Sequence, residues 1–294
     1  MDLLPLRYFQ VVARHEHISR AADELRIAQP SLSRTIARLE SDLGVPLFDR
    51  QGRRVRLNRF GAAFLARVNR ALGELDDARR ELADAAGLQH GSVSIASETL
   101  LTLTEPVKAF IIEHPGVGVR LYQDISDGMA ERLRKGEVDL CLASQPLDGP
   151  GLRHVELARE EVLLAVPLTH RLARQERATV ADLAGEAVVT TRPGTWQRSL
   201  TQRLFTDAGL ELIIACETDE ATVAIELVSA GLGVGFVPAW YVSSPLAETR
   251  APISWLHLDA PDCERVLRLV WRERAYLSAA ARLFRDHLMA SFIA

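Results

Sequence analysis

Apolar residues recur at helical spacing through the first 86 positions, then give way to short apolar runs that alternate with helical stretches. Between Ile18 and Leu43 the pattern predicts two short helices joined by a tight turn. Ser19 is the expected N-cap of the first, because its hydroxyl can accept a free backbone N–H. Ala21, Ala22 and Leu25 form one apolar face, and Arg26-Ile27-Ala28 is the turn. Pro30 suits the opening of the next helix, where no backbone N–H is required. Leu32, Ile36, Leu39 and Leu43 then recur at helical spacing and point inward. Gly44 ends that helix, and two short extended runs, Val45–Arg50 and Val55–Leu57, flank a glycine turn that reads as a hairpin.

From Arg59 to Ala86 there is no proline, and Phe64, Val68, Ala71, Leu75, Ala78 and Leu82 step alternately by four and three. That is the seam of a paired helix, set among Arg, Asp and Glu. The stripe needs cover, either from a second copy or from its own domain, and the even spacing favours the second copy. Gly87 to Gly91 breaks the helix and reads as a hinge. Beyond it, strands are expected at Val93–Ala96, Val117–Tyr122, Val138–Ala143, Val162–Val166, Ala187–Thr191, Leu212–Cys216, Val234–Val237 and Val266–Trp271. Helices are expected at Leu100–His114, Gly128–Lys135, Trp196–Ala208, Ala221–Ala230 and Tyr276–Phe292. Such alternation predicts α/β architecture with mostly parallel strands.

Charge divides the chain the same way. Residues 1–60 hold 11 Arg and no Lys against 7 acids, whereas the remainder holds 24 basic and 32 acidic residues, so the overall charge of −4 hides a basic head on an acidic body. That asymmetry is expected of a nucleic-acid module attached to something else. Gln29, Pro30, Ser31, Ser33, Arg34 and Arg38 occupy entry or exposed positions of the second short helix. Arginine can make a bidentate contact to guanine, glutamine to adenine, and serine can contact phosphate or base edges. Arg50, Arg53 and Arg54 make the hairpin tip cationic, able to follow phosphates or enter a minor groove. A plain helical hairpin with a solvated polar face is the alternative.

The residues Leu6-Arg7-Tyr8-Phe9, Ser19-Arg20-Ala21-Ala22, Leu25, Gln29-Pro30-Ser31-Leu32-Ser33, Leu39-Glu40, Leu43-Gly44, Leu47-Phe48, Arg50 and Gly61 resemble the DNA-binding head of LysR-type transcriptional regulators. Asn58 stands where that family usually has a threonine, and asparagine caps helices equally well. The resemblance implies a winged helix-turn-helix domain at 1–58, a linker and dimerisation helix at 59–86, a hinge at 87–91 and an effector-binding domain at 92–294. That last domain would be two α/β lobes of the periplasmic-binding-protein type 2 class. Lobe I would take about 92–161 and 267–294, and lobe II about 162–266. The crossings are expected near Glu161–Val166 and Asp262–Val270. The resemblance further implies double-stranded promoter DNA, a small-molecule effector and RNA polymerase as partners, and a homodimer that assembles to a tetramer.

In open α/β sheets a ligand sits beyond the carboxyl ends of strands, near helix starts. That selects Ser97, Glu98 and Thr99 after the first strand, Ser144 and Gln145 after Val138–Ala143, Thr191 and Arg192 after Ala187–Thr191, and Thr218 after Leu212–Cys216. Each is also a plain N-cap candidate. The resemblance brings them to one cleft, with Ser97, Thr99, Ser144 and Thr191 matching positions where the family binds effectors. Arg192 could hold a carboxylate through paired hydrogen bonds. Glu98 favours a cationic or zwitterionic ligand if it faces the cleft, and only the helix dipole if it faces outward.

Other features point nowhere specific. His15-Glu16-His17 lacks the spacing of a metal site, so no metal is expected. Gly231-Leu232-Gly233-Val234-Gly235 follows a helix instead of opening one, so it reads as a tight helix-to-strand turn and no dinucleotide cofactor is expected. Cys141, Cys216 and Cys263 share no close spacing and read as inert thiols, with redox sensing as the alternative. No signal-peptide pattern and no membrane-length apolar run occur, which predicts a cytoplasmic location. The rival functions are an enzyme with a regulatory DNA-binding head, and an architectural DNA-binding dimer whose C-terminal domain holds a partner protein. No loop sets a nucleophile beside a base, so catalysis is not expected.

Overall fold

The computed structural model describes residues 2–51, 54–85, 91–147, 149–242 and 253–293. The chain separates into two compact units near residue 86.

The first unit begins with helix α1 (Leu3–His15), α2 (Ile18–Leu25) and α3 (Gln29–Leu43). Phe9, Val12, Ala21, Ala22, Leu32, Ile36 and Leu39 form one buried cluster, so the predicted apolar faces are the ones that meet. Glu16 and Arg26 adopt left-handed backbone where α1 and α2 end, and Gly44 (φ 71°) does so after α3. Ser19 is not the cap of α2. The helix starts two residues earlier, at Ile18, and the His17 ring accepts the Arg20 amide as the cap. Strands β1 (Phe48–Gln51) and β2 (Arg54–Leu57) pair antiparallel with Phe48 opposite Leu57 and Gln51 opposite Arg54, which leaves two residues for the tip. Helix α4 (Arg59–Ala85) follows, and Asn58 caps it by accepting the Phe60 and Gly61 amides, each at 2.9 Å. Gly61 is required there, since a Cβ would lie 2.0 Å from the Leu47 carbonyl oxygen.

The second unit opens with β3 (Ser92–Ser97), a single 3-10 turn at Leu101–Leu103 and α5 (Thr104–Glu113). Then come β4 (Gly118–Gln123), α6 (Ser126–Lys135), β5 (Leu140–Ala143), β6 (Leu152–Pro167) and β7 (Arg177–Thr179). After these follow β8 (Ala187–Thr191), α7 (Trp196–Asp207), β9 (Ile213–Thr218), α8 (Ala221–Ser229), β10 (Gly235–Pro238) and α9 (Ala239–Val242), and finally β11 (Ile253–Asp259), β12 (Glu264–Arg272) and α10 (Ala279–Ile293).

The strand order β4-β3-β5-β12-β6-β11-β7 runs through both lobes, with β10 also on β6 and the parallel pair β8-β9 joined to β10 through Val188 and Val234. The lobes share β6. Its first part, from Leu152 to Glu161, pairs with β12, and Val162–Pro167 lie between β10 and β11. Lobe I has a core of Val93, Ile95, Phe110, Leu140, Leu267 and Phe284. Lobe II has a core of Val162, Leu164, Val166, Leu183, Val188, Leu204, Phe205 and Phe236.

The strand expected at Val162–Val166 is ten residues longer at its start, because only its buried half is a continuous apolar run while Leu152–Glu161 is charged and half solvated. The short β7 and the polar alternation of β11 carried no comparable signal. The helix expected from Leu100 is a 3-10 turn followed by α5, and the one expected from Tyr276 starts at Ala279. Gly231 (φ 85°) closes α8, and Gly233 lies so close to Ala187 that a Cβ would stand 2.3 Å from its carbonyl oxygen. That glycine run is the expected helix-to-strand turn. Of the hinge expected at 87–91, residues 87–90 lie outside the described residues.

Candidate nucleic-acid interface and effector cleft

Helix α3 buries Leu32, Ile36 and Leu39 and so presents a fixed opposite face. Gln29, Pro30, Ser31, Arg34 and Arg38 are exposed on it, and Ser33 is half-buried. Arg34 Nε donates to the Pro30 carbonyl at 3.3 Å, which lays the guanidinium along the helix start. Two glutamates absent from the predicted site hold the wing. The Leu47 and Phe48 amides donate to Glu40 Oε1 at 2.8 and 3.2 Å. The Val55 amide donates to the Glu16 carbonyl oxygen, and the Leu57 amide to Glu16 Oε1. Glu16 thus serves the hairpin, while His15 pairs with Glu24. Their roles were hidden in sequence because acids in a basic head read as solvated charge. Arg53 and the side chains of Arg50 and Arg54 lie outside the described residues.

Helix α4 divides along its length. Val68 is buried and Phe64 stacks 5.5 Å from Phe9, so the first two seam residues cover the head itself. Leu72 joins them, and Arg7–Asp76 (2.8 Å) and Gln10–Asn69 (2.7 Å) tie α4 to α1. Ala71, Leu75, Ala78 and Leu82 are exposed, Leu82 to 70%. The expected six-residue seam is therefore corrected: its first two positions face the head, and only the last four lie open.

In the second unit, loops from both lobes meet at the ends of β3, β5 and β8. Ser97 and Glu98 are buried and Thr99 is half-buried. Glu98 faces inward: its Oε1 accepts from Ser126 Oγ and Gln145 Nε2, each at 3.1 Å, and its Oε2 from the Ser144 amide at 3.3 Å. Gln145 Nε2 also reaches the Gly194 carbonyl oxygen at 3.2 Å, joining the lobes. Thr191 is buried, with its Oγ1 2.6 Å from Thr195 Oγ1, and Thr195 caps α7.

The central side chain was not predicted. Arg265, 2% exposed, donates from Nε to Ser144 Oγ at 2.8 Å and from its terminal nitrogens toward Glu160 Oε1 (3.4 Å) and Thr102 Oγ1 (3.3 Å). Its guanidinium carbon lies 5.2 Å from the centre of the Trp196 ring. Burial pulls this guanidinium below its ordinary value, against the opposing pull of Glu160 and Glu98. Burial likewise pushes the Glu160 carboxyl up, with Arg265 opposing it. A narrow pocket opens beside them toward solvent, lined by Thr99, Trp196, Ile225, Phe236, Trp240 and Arg265. A signal for Arg265 existed: in β12 it alternates with Leu267 and Leu269, which places it on the buried face.

Two predicted residues do not join this group. Arg192 is exposed and pairs with Asp219, and Thr218 Oγ1 is taken by the Glu220 amide in a local turn. Arg192 thus lies apart from this network, in which the buried cation is Arg265. Cys141 and Cys263 are buried, and burial raises both thiols, Cys263 to about 11, so neither is a ready thiolate. Among the described residues no helix is long and apolar enough to cross a membrane.

These features have counterparts across the whole chain in known proteins. A family model for the bacterial regulatory helix-turn-helix protein, lysR family, matches residues 3–62, and one for the LysR substrate binding domain matches residues 86–292. The chain is 36% identical over 295 residues to the uncharacterised HTH-type transcriptional regulator YybE of Bacillus subtilis (strain 168), covering 99% of each. It is 31% identical over 297 residues to the transcriptional dual regulator GltC of the same organism, covering 99% of this chain and 98% of the other. Among solved structures it is similar to CbnR, a LysR family transcriptional regulator (26% identity, TM-score 0.66), and to full-length CbnR complexed with its target DNA (29%, 0.56), each covering 99% of both chains. The chain belongs to the LysR family of DNA-binding transcriptional regulators, with a helix-turn-helix head and a C-terminal domain for an effector.

Proposed function

We propose that α3 reads operator DNA, with Arg34, Gln29, Ser31 and Ser33 at base edges or nearby phosphates, Pro30 setting the helix start and Arg38 on the backbone. Arg50, Arg53 and Arg54 hold the wing against phosphates or a minor groove. The observation that carries this reading is the face of α3: its apolar side is locked into the head, while Gln29, Ser31, Arg34 and Arg38 stand exposed together. The CbnR structure with its target DNA supports the same use of the head.

Ala71, Leu75, Ala78 and Leu82 pair α4 with a second copy, so that two heads read two half-sites; the dimer doubles to a tetramer and meets RNA polymerase at the promoter. The divisions are 1–58 for the head, 59–86 for the pairing helix, 87–91 for the hinge and 92–294 for the effector domain, with the lobes parting within β6 and ahead of β12. The effector enters the cleft of the C-terminal domain and contacts Thr99, Trp196 and Arg265 directly, behind the polar frame of Ser97, Glu98, Ser144, Gln145 and Thr191. It acts by binding one arrangement of the lobes more tightly than the other. The relatives that span the chain are regulators, which supports binding without catalysis.

Arg34→Ala tests the central assignment. Specific operator binding falls by about 1–3 kcal/mol if the guanidinium makes a bidentate base contact. Equal loss on all DNA would give Arg34 a phosphate role and contradict base reading by this residue.

A further inference from the structure

The carboxylate of Glu98 is held in an unusual way for a buried acid. Among the described residues no arginine, lysine or histidine hydrogen-bonds it; its partners are the Ser126 hydroxyl, the Gln145 amide and the Ser144 backbone N–H. These donors come from two separate segments and converge on one group, while Gln123 Nε2 fixes the Glu98 carbonyl at 3.2 Å. Neutral donors converging from separate segments are one way a binding site receives an anion. Here the anion is the chain's own, and the residue that grips it, Gln145, also spans to Gly194 in the other lobe.

The buried cation next to it is already engaged. Arg265 faces Glu160 at 3.4 Å and lies in the field of Glu98. An entering carboxylate would be a third acid against one buried cation, in surroundings where such repulsion is poorly screened. The adjoining pocket offers Trp196, Ile225, Phe236 and Trp240 as walls, which suits an apolar body. Trp240 Nε1 is buried without an acceptor among the described residues.

We propose that Glu98 is a built-in stand-in for a ligand carboxylate: it fills the anion cradle where the lobes meet, so that the pocket beside it takes an uncharged, largely apolar small molecule instead of an organic acid. This rests on reading the cleft as the effector site. The cradle also makes the closed contact between lobes independent of any acid in solution.

Vacating the cradle tests it. Full-length wild type, Glu98→Ala and Glu98→Gln are heated with sodium acetate, with acetamide and with sodium chloride at matched ionic strength. Glu98→Ala gains a saturable rise in Tm with acetate alone, whereas wild type and Glu98→Gln, whose cradles are filled, do not respond. Glu98→Ser is the second vacated form, and if both vacated forms fail to fold, their refolding yield in acetate against chloride is the readout. No acetate dependence in the vacated forms would overturn the proposal. So would an acetate response of wild type equal to theirs, although that result would still support a ligand site in the cleft.

The wild type's own preference is read with benzamide and benzoate, a matched neutral and anionic pair. Benzamide stabilises it more; benzoate equal to or better than benzamide overturns the ligand class. None of these readouts involves DNA, so failure here leaves the assignment of α3 standing.

Discussion

The head and the cleft use polar side chains in opposite ways. On α3, Gln29, Ser31, Arg34 and Arg38 stand exposed opposite a buried apolar face, and Arg34 keeps its terminal guanidinium nitrogens for a partner while its Nε rests on the Pro30 carbonyl. In the cleft, Glu98, Ser144, Gln145, Glu160 and Arg265 are turned toward one another, and the cost of burying charge is offset by those mutual contacts. One surface is prepared for an anionic polymer. The other is closed to charge and couples its two lobes through its own network. A polar residue on the exposed face of α3 is therefore expected to matter for binding and little for stability, whereas a polar residue of the cleft network matters for stability as well.

The largest test of this contrast is Arg265→Ala. It leaves Glu160 buried without its cation and removes donors from Ser144 and Thr102, so the C-terminal unit loses about 3–5 kcal/mol in chemical denaturation. A loss within the error of a surface substitution would remove Arg265 from the centre of the cleft. The matching change in the head, Arg34→Ala, shifts stability by less than about 0.5 kcal/mol while weakening operator binding. A cooperative loss of stability there would show that Arg34 is structural.

Leu75→Arg places a cation on the exposed part of the α4 seam without touching Val68 or Leu72 in the head core. Sedimentation at low micromolar concentration then shows a shift toward monomer, and unchanged sedimentation would take the seam out of self-association. The smallest effect concerns Glu24. The hydrogen bond from His15 and the nearby Arg14 hold its carboxyl below the ordinary 4.5. Its contribution is present above that value and is lost as pH falls through the lowered one. Glu24→Gln therefore costs about 0.2–1 kcal/mol near neutrality, as for an exposed ion pair, and the difference from wild type vanishes in acid. A difference that persists at low pH would mean the glutamine disturbs packing instead.

The contrast also explains what sequence could show. Leu32, Ile36 and Leu39 repeat at helical spacing, the arginines cluster within one short hairpin, and Asn58 sits at a helix start, so the head follows from local pattern. The cleft depends on distant partners. Glu98 meets Ser126, Ser144 and Gln145 from 28 to 47 positions away, and no local rule orients it. Arg192 lies in a plausible loop but pairs with Asp219 outside the network, while Arg265 reaches Thr102 from 163 positions away. Helix α4 shows the limit of periodicity: the 4-3 spacing is real, yet α1 already covers its first part, and spacing alone cannot distinguish a neighbour from a second copy.

The most direct test of the account is the affinity of the full-length chain for the promoter fragment beside its own coding region, measured against a shuffled fragment of equal length at physiological salt. The account predicts binding at least about 10³-fold tighter to the promoter. Equal affinity for the two fragments would contradict it.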